Sequence, residues 1–464
     1  MGCQRRKSSV ALVGTLPIGG NNPIRVQSMA TVDTNDTEGC VAQAQRIINA
    51  GGELVRFTTQ GTREALNMRH ISKRLKATGY PQPLVADVHF NANVADVAAC
   101  YCEKVRINPG NYIDPARKFL RIDYTDEEYA AELTRLEQRL TNFINICKEH
   151  HTAVRIGVNH GSLSDRIMSR YGDTPLGIVE SCMEFLRVFK RENFDNVVIS
   201  IKASNTVVMV QSVRLLVGKM DGEDMHYPLH LGVTEAGEGE DGRIKSALGI
   251  GALLTEGIGD TIRVSLSEEP ECEIPVARKI VSFIEECSTM RQQEEAKISD
   301  GCITMAFEGQ EDWEDLQLKC AMAAGAALID RRATKLNIVV NSPSVFPRER
   351  LRELEDAILQ AARIKFTKTE YISCPGCGRT LYNLQETIAS IKAATSHLVG
   401  LKIGIMGCIV NGPGEMADAD YGYVGAARGK ISLYRGKECV EKNIPEEEAV
   451  SRLLQLIEAD RKAS

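Results

Sequence analysis

The sequence comprises 464 residues, of which 43% are hydrophobic and 25% are charged, and its formal net charge is −6. These proportions are typical of a globular protein with two or three domains, and the small negative charge gives no reason to expect nucleic acid or an acidic membrane surface as a partner. No apolar run approaches bilayer-spanning length, and the first residues, MGCQRRKSSV, lack the apolar core of a signal peptide. We therefore expect a cytoplasmic protein whose cysteines are mostly reduced.

Residues 1–289 repeat one unit, in which an apolar, β-branched run precedes a helical pattern. The eight strand-like runs are 24–29, 53–59, 83–90, 104–110, 153–159, 196–204, 229–237 and 261–267. Apolar continuity indicates strands buried on both faces, and the alternation with helices indicates a parallel sheet. Eight such units match the size of a closed (β/α)8 TIM barrel. An open doubly wound sheet is the alternative, although no GxGxxG turn follows any of the strands.

The rest of the chain departs from this repeat. Residues 290–366 contain two helical patterns and one strand-like run, KLNIVV, which is too little for a second barrel. Residues 367–464 predict a compact α/β domain with strands in TEYISC, LKIGIMGCIV, YGYVGA and KISLYRG and with two helices. We thus predict a barrel at 1–289, a linking segment at 290–366 and a C-terminal α/β domain at 367–464.

Basic residues lie within six of the eight predicted barrel strands. They are Arg25, Arg56, Arg106, Arg155, Lys202 and Arg263. Burying an unpaired cation is costly, and pairing with Asp87, Glu53 or Glu235 is one explanation. These cations outnumber the carboxylates on the strands, however. The alternative is a bound anion, because guanidinium groups bind phosphate bidentately and barrel sites open at the C-terminal strand ends.

Further polar side chains fit the same barrel mouth. They are Asn108, Asn159, Ser204, Asn205, Thr234, Glu235 and Ser265, and the third strand adds Asp87 and His89. A small diphosphate would satisfy several of the cations at once. The spacing supports phosphate binding but does not by itself name the substrate.

Three cysteines near the C-terminus form a metal-ligand pattern. Cys374 and Cys377 are a C-x-x-C pair in CPGCGRT, and Cys408 follows in GCIVNGPGE. A zinc site and unrelated core cysteines are the alternatives, although a zinc ribbon would normally show a second C-x-x-C pair. An iron–sulfur cluster suits the Pro- and Gly-rich turns, and the NGPG turn could fold Glu415 back as a fourth ligand. Because oxygen binds soft iron weakly, such a ligand would leave one iron exchangeable.

Together, the cysteines and the cations suggest reductive chemistry on a small phosphorylated metabolite, with electrons from an external donor. Two other classes stay open at this point. A non-catalytic iron–sulfur carrier or sensor would have no need of a mouth with several arginines. A phosphate- or pterin-binding barrel with a structural zinc domain would be colourless after purification.

Several motifs resemble the family of 4-hydroxy-3-methylbut-2-enyl diphosphate synthases of the non-mevalonate isoprenoid pathway. The motifs are VRIGVNHGS, VTEAG, IRVSLS, CPGCGRT and GCIVNGPGE, and the resemblance runs over nearly the whole barrel and the whole last domain. It implies an oxidoreductase that opens the ring of 2-C-methyl-D-erythritol 2,4-cyclodiphosphate and removes a hydroxyl as water, with two electrons from reduced ferredoxin or flavodoxin.

The resemblance also implies a cofactor and residue roles. A [4Fe–4S] cluster would be held by Cys374, Cys377, Cys408 and Glu415, in a domain like those of sulfite and nitrite reductases. The diphosphate contacts would be Arg56, Arg106, Arg155, Asn159, Lys202, Arg263 and Ser265. Thr234 and Glu235 match the family's motif beside the reacting carbons, and Glu235 is the candidate proton donor for the departing hydroxyl.

The quaternary arrangement is left open by the sequence. The segment DYTDEEYAAELTRLEQRL and the phrase NGPGEMADADYGYVG resemble plant-like members, which carry a large extra domain before the cluster domain, but 290–366 is much shorter than that insert. In two-domain members the cluster of one subunit caps the barrel of its dimer partner. In three-domain members one chain can close on itself. A homodimer and a self-closing chain are therefore both alternatives.

Overall fold

The computed structural model describes residues 4–113, 123–308, 312–341, 346–409, 412–416 and 418–463. Its strands are β1 (Val10–Val13), β2 (Leu16–Gly19), β3 (Arg25–Met29), β4 (Leu54–Thr59), β5 (Leu84–Val88), β6 (Lys104–Ile107), β7 (Ala153–Asn159), β8 (Val197–Lys202), β9 (His230–Leu231), β10 (Thr261–Ile262), β11 (Cys302–Phe307), β12 (Lys335–Val340), β13 (Glu370–Ser373), β14 (Lys402–Met406), β15 (Tyr421–Ala427), β16 (Lys430–Arg435) and β17 (Glu438–Pro445).

The α-helices of the described residues are α1 (Thr37–Asn49), α2 (Thr62–Ala77), α3 (Ala92–Ala99), α4 (Asp126–His150), α5 (Asp165–Tyr171), α6 (Pro175–Arg191), α7 (Thr206–Gly222), α8 (Gly239–Leu254), α9 (Glu273–Ser282), α10 (Ile284–Glu295), α11 (Trp313–Ile329), α12 (Arg348–Ala361), α13 (Leu384–Thr395), α14 (Gly412–Glu415) and α15 (Glu446–Ala463). Short 3₁₀ turns lie at Pro109–Asn111, His160–Ser162 and Pro270–Cys272. Across these segments, no helix is both long and apolar enough to cross a bilayer.

Strands β3 to β10 form the predicted closed barrel. Neighbours in the order β8-β7-β6-β5-β4-β3-β10-β9 pair in parallel. A parallel bridge between Ile199 and Leu229 joins the two ends of this sheet. The TIM-barrel prediction is therefore confirmed, and the closing bridge excludes the open doubly wound sheet.

The last two barrel strands are shorter than the sequence predicts. β9 and β10 each contain two residues, whereas the apolar runs extend to 237 and 267. Beyond β9 the backbone turns at Glu235, whose φ of 49° lies in the left-handed region that non-glycine residues rarely adopt. The segments after both strands leave the sheet and contribute Thr234, Glu235 and Ser265 to the barrel mouth.

The hairpin of β1 and β2 closes the opposite end of the barrel, which the sequence did not predict. Fully buried apolar side chains of the hairpin pack against residues of four barrel strands: Ala11, Val13 and Ile18 against Leu54, Val85, Ala153 and Val198. Since apolar side chains seal this end, the barrel can receive a ligand at the C-terminal ends of its strands.

The segment between the barrel and the last domain is a β–α–β–α unit packed on the barrel. Strands β11 and β12 pair in parallel, and β11 was not predicted from the sequence. Helix α11 is buried along almost its whole length and packs against α8. The two helices approach so closely at Gly251 that a Cβ there would lie 2.8 Å from the Cα of Met322. Helix α10 crosses the predicted domain boundary at 289.

We expect Gly251→Ala to lower the free energy of unfolding by about 1–3 kcal/mol, because the added methyl group overpacks the contact between α8 and α11. Gly218→Ala in α7 is the matched control, since a Cβ at that position meets nothing within 4 Å. This control should gain about 0.4–1 kcal/mol from reduced backbone freedom in the unfolded chain. Urea unfolding of both variants provides the comparison, and equal stabilities would contradict the close helix contact.

The C-terminal domain is a mixed sheet in the order β13-β14-β15-β16-β17. Helices α13 and α15 cover one face through an apolar core that includes Ile388, Leu453 and Ile457. Strands β13 and β14 are parallel neighbours, and the chain places Cys374 directly after β13 and Cys408 two residues after β14. Because adjacent parallel strands end at the same sheet edge, the two cysteine motifs meet there.

Candidate active site

A cavity lies where the barrel mouth faces the C-terminal domain. The barrel contributes Met29, Arg56, Asp87, His89, Arg106, Arg155, Asn159, Ser200, Lys202, Thr234, Glu235, Arg263 and Ser265 to its wall. The C-terminal domain contributes Cys374, Pro375, Gly376, Cys377, Arg379, Met406, Gly407, Cys408 and Glu415. The cation-bearing strands of the barrel and the cysteine motifs of the C-terminal domain therefore line one shared cavity.

Three of the predicted site residues lie beside this cavity rather than in its wall. Asn108 caps a 3₁₀ turn and donates to Ser162 Oγ at 2.8 Å. Ser204 Oγ donates to the backbone oxygen of Glu415 at 3.1 Å. Asn205 Nδ2 donates to Asp418 at 3.1 Å. Ser204 and Asn205 thus join the barrel to the C-terminal domain, and direct substrate contact by these three residues stays a prediction.

Two of the six strand cations, Arg25 and Arg263, each pair with a carboxylate that no other strand cation shares. Arg25 is directed away from the mouth and donates to Glu53 at 2.8 Å. Arg263 forms a buried ion pair with Glu273 at 2.9 Å, although it also lines the cavity. The expectation that all six cations converge on the mouth is therefore wrong for Arg25. Glu273 was overlooked as a partner because it lies on α9 and not on a strand.

Asp87, on the third barrel strand, pairs with the cations of the second and fourth barrel strands. Arg106 Nη1 donates to Asp87 Oδ1 at 3.0 Å, and Arg56 lies 4.0 Å from the same carboxylate. Burial alone would raise the pKa of Asp87, but Arg56 and Arg106 outweigh burial and hold it well below its usual range. Burial and Arg106 lower the pKa of His89 to about 3, so this imidazole is neutral. One anionic carboxylate is thus shared by two guanidinium groups.

Arg155 and Lys202 carry the unbalanced charge of the cavity. They are 1% and 4% exposed, and neither forms an ion pair within the described residues. Nε and Nη1 of Arg155 are buried and have no hydrogen-bond partner in that part of the chain. Burial, with repulsion from Arg56, lowers the pKa of both groups well below the usual range. Bound phosphate oxygens would balance these buried charges and accept the unused hydrogen bonds. The pair of Arg155 and Lys202 therefore favours an anion site.

A further buried cation, Lys104, lies two residues before Arg106 on β6, so that both side chains are on the same face of the strand. It is fully buried, and its Nζ lies 3.5 Å from Gln27 Oε1. Of the two basic residues on this strand, only Arg106 was predicted as a site residue. The two-residue period of a strand was the signal that could have identified Lys104 as a second inward-facing residue.

We expect Arg155→Met to raise the free energy of unfolding without ligand by about 1–4 kcal/mol, because it removes an unpaired buried charge. The same change should abolish most of the affinity for diphosphate ligands. Arg74→Met is the matched control, since Arg74 forms an exposed ion pair with Glu38 and surface pairs contribute about 0–1 kcal/mol. Urea unfolding and titration with inorganic pyrophosphate test both parts. If the Arg155→Met protein bound pyrophosphate as tightly as the wild type, the role of Arg155 would be purely structural.

The donor set of the C-terminal domain fits a bound iron–sulfur group. Cys374 Sγ accepts a hydrogen bond from the backbone nitrogen of Gly407 at 3.2 Å, a contact typical of cluster-ligating cysteines. Cys377, Cys408 and Glu415 line the same wall. Thiol sulfurs are the ligands that iron–sulfur clusters use in proteins.

Glu415 lies at the contact between the two domains. Asn159 Nδ2 donates to its Oε1 at 2.7 Å, and Thr234 Oγ1 donates to its Oε2 at 3.1 Å. Burial raises the pKa of both Glu235 and Glu415, and the nearby Glu235 raises the pKa of Glu415 further. Both carboxyl groups therefore have a pKa above the usual value although cations lie in the same cavity.

The cavity is closed within a single chain. Besides the Glu415 contacts, Lys392 pairs with Glu238 at 2.8 Å and Lys245 pairs with Glu370 at 3.2 Å. Gly161 and Gly414 touch through their backbones, so a Cβ on either glycine would overlap the other segment. This structure thus corresponds to the self-closing arrangement that the sequence left open.

The fold and the cavity define a barrel protein with buried cations at its mouth, opposite a C-terminal domain that contributes three cysteines, and family models match both parts. The GcpE TIM-barrel domain matches residues 8–278. The GcpE protein C-terminal domain matches residues 370–459. The chain therefore belongs to the GcpE family, and the resemblance inferred from its motifs is confirmed.

Curated relatives match over almost the full chain and share one name, 4-hydroxy-3-methylbut-2-en-1-yl diphosphate synthase (flavodoxin). The relative from Bacteroides fragilis is 49% identical, with 98% of this chain and 96% of the relative covered. That from Parabacteroides distasonis is 51% identical, with 98% of each covered. That from Akkermansia muciniphila is 41% identical, with 98% and 96% covered. The first alignment spans 610 positions against 464 residues here, so that relative has residues that this chain lacks.

Proposed function

We propose that the protein catalyses the reductive ring opening of 2-C-methyl-D-erythritol 2,4-cyclodiphosphate to 4-hydroxy-3-methylbut-2-enyl diphosphate. Two electrons would come from reduced flavodoxin, and one hydroxyl would leave as water. The observation that carries the proposal is the single cavity that combines unpaired cations with three thiols and Glu415. The shared name of the curated relatives supports the same product and the same donor.

Substrate binding is assigned to the cations of the barrel mouth. Arg56, Arg155 and Lys202 would bind the diphosphate, because their charges exceed those of the carboxylates around them. Guanidinium forks bind phosphate oxygens in pairs and fix the orientation of the ring. Asn159 and Ser265 add neutral hydrogen-bonding groups in the same wall.

The chemistry requires an electron source and a proton source next to the bound ring. A [4Fe–4S] cluster held by Cys374, Cys377, Cys408 and Glu415 would supply electrons one at a time and a Lewis-acidic iron. Glu235 would give a proton to the departing hydroxyl, because burial raises its pKa and so favours its protonated form. Closure of the two domains would exclude bulk water from the cavity.

Anaerobic reconstitution with iron and sulfide, followed by assay with the cyclic diphosphate, tests the proposal. We expect a brown protein with bound iron and sulfide that forms the linear diphosphate with reduced flavodoxin. Reduced ferredoxin, assayed in parallel, distinguishes the two classes of donor. A colourless protein loaded with zinc, or a fully loaded protein that leaves the substrate unchanged, would contradict the proposed reaction.

A further inference from the structure

One cation of the cavity comes from the C-terminal domain rather than from the barrel. Arg379 follows Cys377 by two residues in the CPGCGRT motif. It lines the same cavity as Cys377, Cys408 and the barrel cations. No role for Arg379 was predicted from the sequence, and the proposed binding and proton-transfer steps do not use it.

The loop that carries Arg379 is held against the barrel. The backbone nitrogen of Cys377 donates to Thr380 Oγ1 at 3.1 Å, and Gly376 adopts a φ of 77° that glycine tolerates best. A Cβ at Gly378 would lie 3.0 Å from the backbone oxygen of Val32. The loop therefore packs against the barrel segment that follows β3, and this contact fixes the position from which the Arg379 side chain reaches the cavity.

The surroundings of Arg379 include side chains from both sides of the domain contact. It shares the cavity wall with Cys377 and Cys408 and with Asp87. Asp87 belongs to the barrel, whereas the cysteines belong to the C-terminal domain. Arg379 thus lies between the proposed cluster ligands and the anion site of the barrel.

Part of the hydrogen-bonding capacity of Arg379 is unused. Its Nε and Nη1 are shielded from solvent and have no partner among the residues described. Nε and Nη1 of Arg155, on the barrel side of the same cavity, share this situation. Buried unsatisfied donors are costly. Two guanidinium groups with spare donors, supplied by opposite walls, suit a ligand that carries several anionic oxygens.

We propose that Arg379 is a positioning residue for the proposed reaction, which binds the anionic substrate from the cysteine side of the cavity and holds it against the proposed cluster ligands. This role rests on the proposed function. The substrate would then bridge the two domains, with Arg155 on one side and Arg379 on the other. Its affinity should depend on a residue outside the barrel, and the positive charge beside Cys377 should favour the reduced form of a bound cluster.

Equilibrium binding measured on oxidised, cluster-loaded protein separates this role from turnover. We expect Arg379→Gln to bind iron and sulfide like the wild type, but to weaken affinity for the cyclic diphosphate by about tenfold or more, because charge-assisted hydrogen bonds are lost. Its cluster midpoint potential should shift to a more negative value. Arg428→Gln, in an exposed turn of the same domain, is the control and should change neither quantity.

Equal affinities of the Arg379→Gln and Arg428→Gln proteins would overturn the role of Arg379. If Arg379→Gln takes up less iron than the wild type, the affinity of Arg379→Lys for the cyclic diphosphate is compared with that of Arg428→Gln instead. The lysine keeps the positive charge but removes the planar guanidinium fork. Reduced affinity in that variant supports the role, and unchanged affinity overturns it. A wild-type protein that does not bind the cyclic diphosphate would instead overturn the proposed function, and this role with it.

Discussion

Replacing Glu415 with alanine should lower kcat by more than about a hundredfold while the protein still folds. Even second-shell partners of metal ligands typically contribute about 10–100-fold to activity, and Glu415 is itself the proposed fourth ligand. It also accepts hydrogen bonds from Asn159 and Thr234 at 2.7 and 3.1 Å. Loss of these two contacts should change the free energy of unfolding by only about 1–3 kcal/mol. Anaerobic kinetics and urea unfolding of the same preparation measure both effects.

Glu415→Cys is the informative companion of the alanine variant. A thiolate should bind iron more strongly than a carboxylate, so the iron content should be kept. Because that iron would no longer exchange its ligand readily, most of the activity should still be lost. Wild-type activity in the cysteine variant would contradict the proposal that a weak oxygen ligand is needed.

Replacing Gly161 with alanine should lower turnover by about a hundredfold, because the closed arrangement leaves no room for a side chain there. A Cβ at Gly161 would overlap backbone atoms of Gly414 and Glu415, which cannot move aside as a flexible side chain could. The C-terminal domain would be displaced, and displacements of about 1 Å can reduce rates by 10²-fold. Substrate affinity should fall less than the rate, because Arg56, Arg155 and Lys202 stay in the barrel while only Arg379 moves with the C-terminal domain.

Gly218→Ala serves as the control for this variant, because a Cβ at that position meets no neighbouring atom. Small-angle scattering should show a more extended Gly161→Ala protein than the control. An equally compact and fully active Gly161→Ala protein would mean that the catalytic arrangement does not need the contact between Gly161 and Gly414.

The barrel could be predicted from the sequence because its strands are buried on both faces and therefore read as continuous apolar runs. Strands β11 and β17 escaped the same criterion because each alternates or mixes exposed and buried residues. The hairpin β1–β2 was missed for a related reason, since the outward residues Val10 and Leu12 are exposed. Continuity of burial thus explains which strands of the barrel were found, whereas β12 was predicted although it also mixes exposed and buried residues.

The candidate site could be predicted only as far as residue type and strand position allow. The cations on the strands predicted an anion cavity. Which of these cations lack a balancing carboxylate depends on the partners of Arg25 and Arg263. The partner of Arg263, Glu273, lies on a helix and was therefore not considered. The contact between Asn159 and Glu415 joins residues 256 positions apart, and no local pattern encodes it. Arg379 belongs to the CPGCGRT motif, in which only the cysteines have a spacing that predicts a function. Its side chain nevertheless lines the same cavity.

Complementation between two inactive variants is the most direct measurement of whether one chain supplies the whole site. Glu415→Ala keeps the barrel cations, whereas Arg155→Met keeps the cysteine motifs and Glu415. We predict that the two variants, co-expressed and purified together, are no more active than the sum of the separate proteins, because each cavity is closed by its own chain. Recovery of a large part of the wild-type rate in the mixture would contradict this arrangement and show that the two halves of the site meet between subunits.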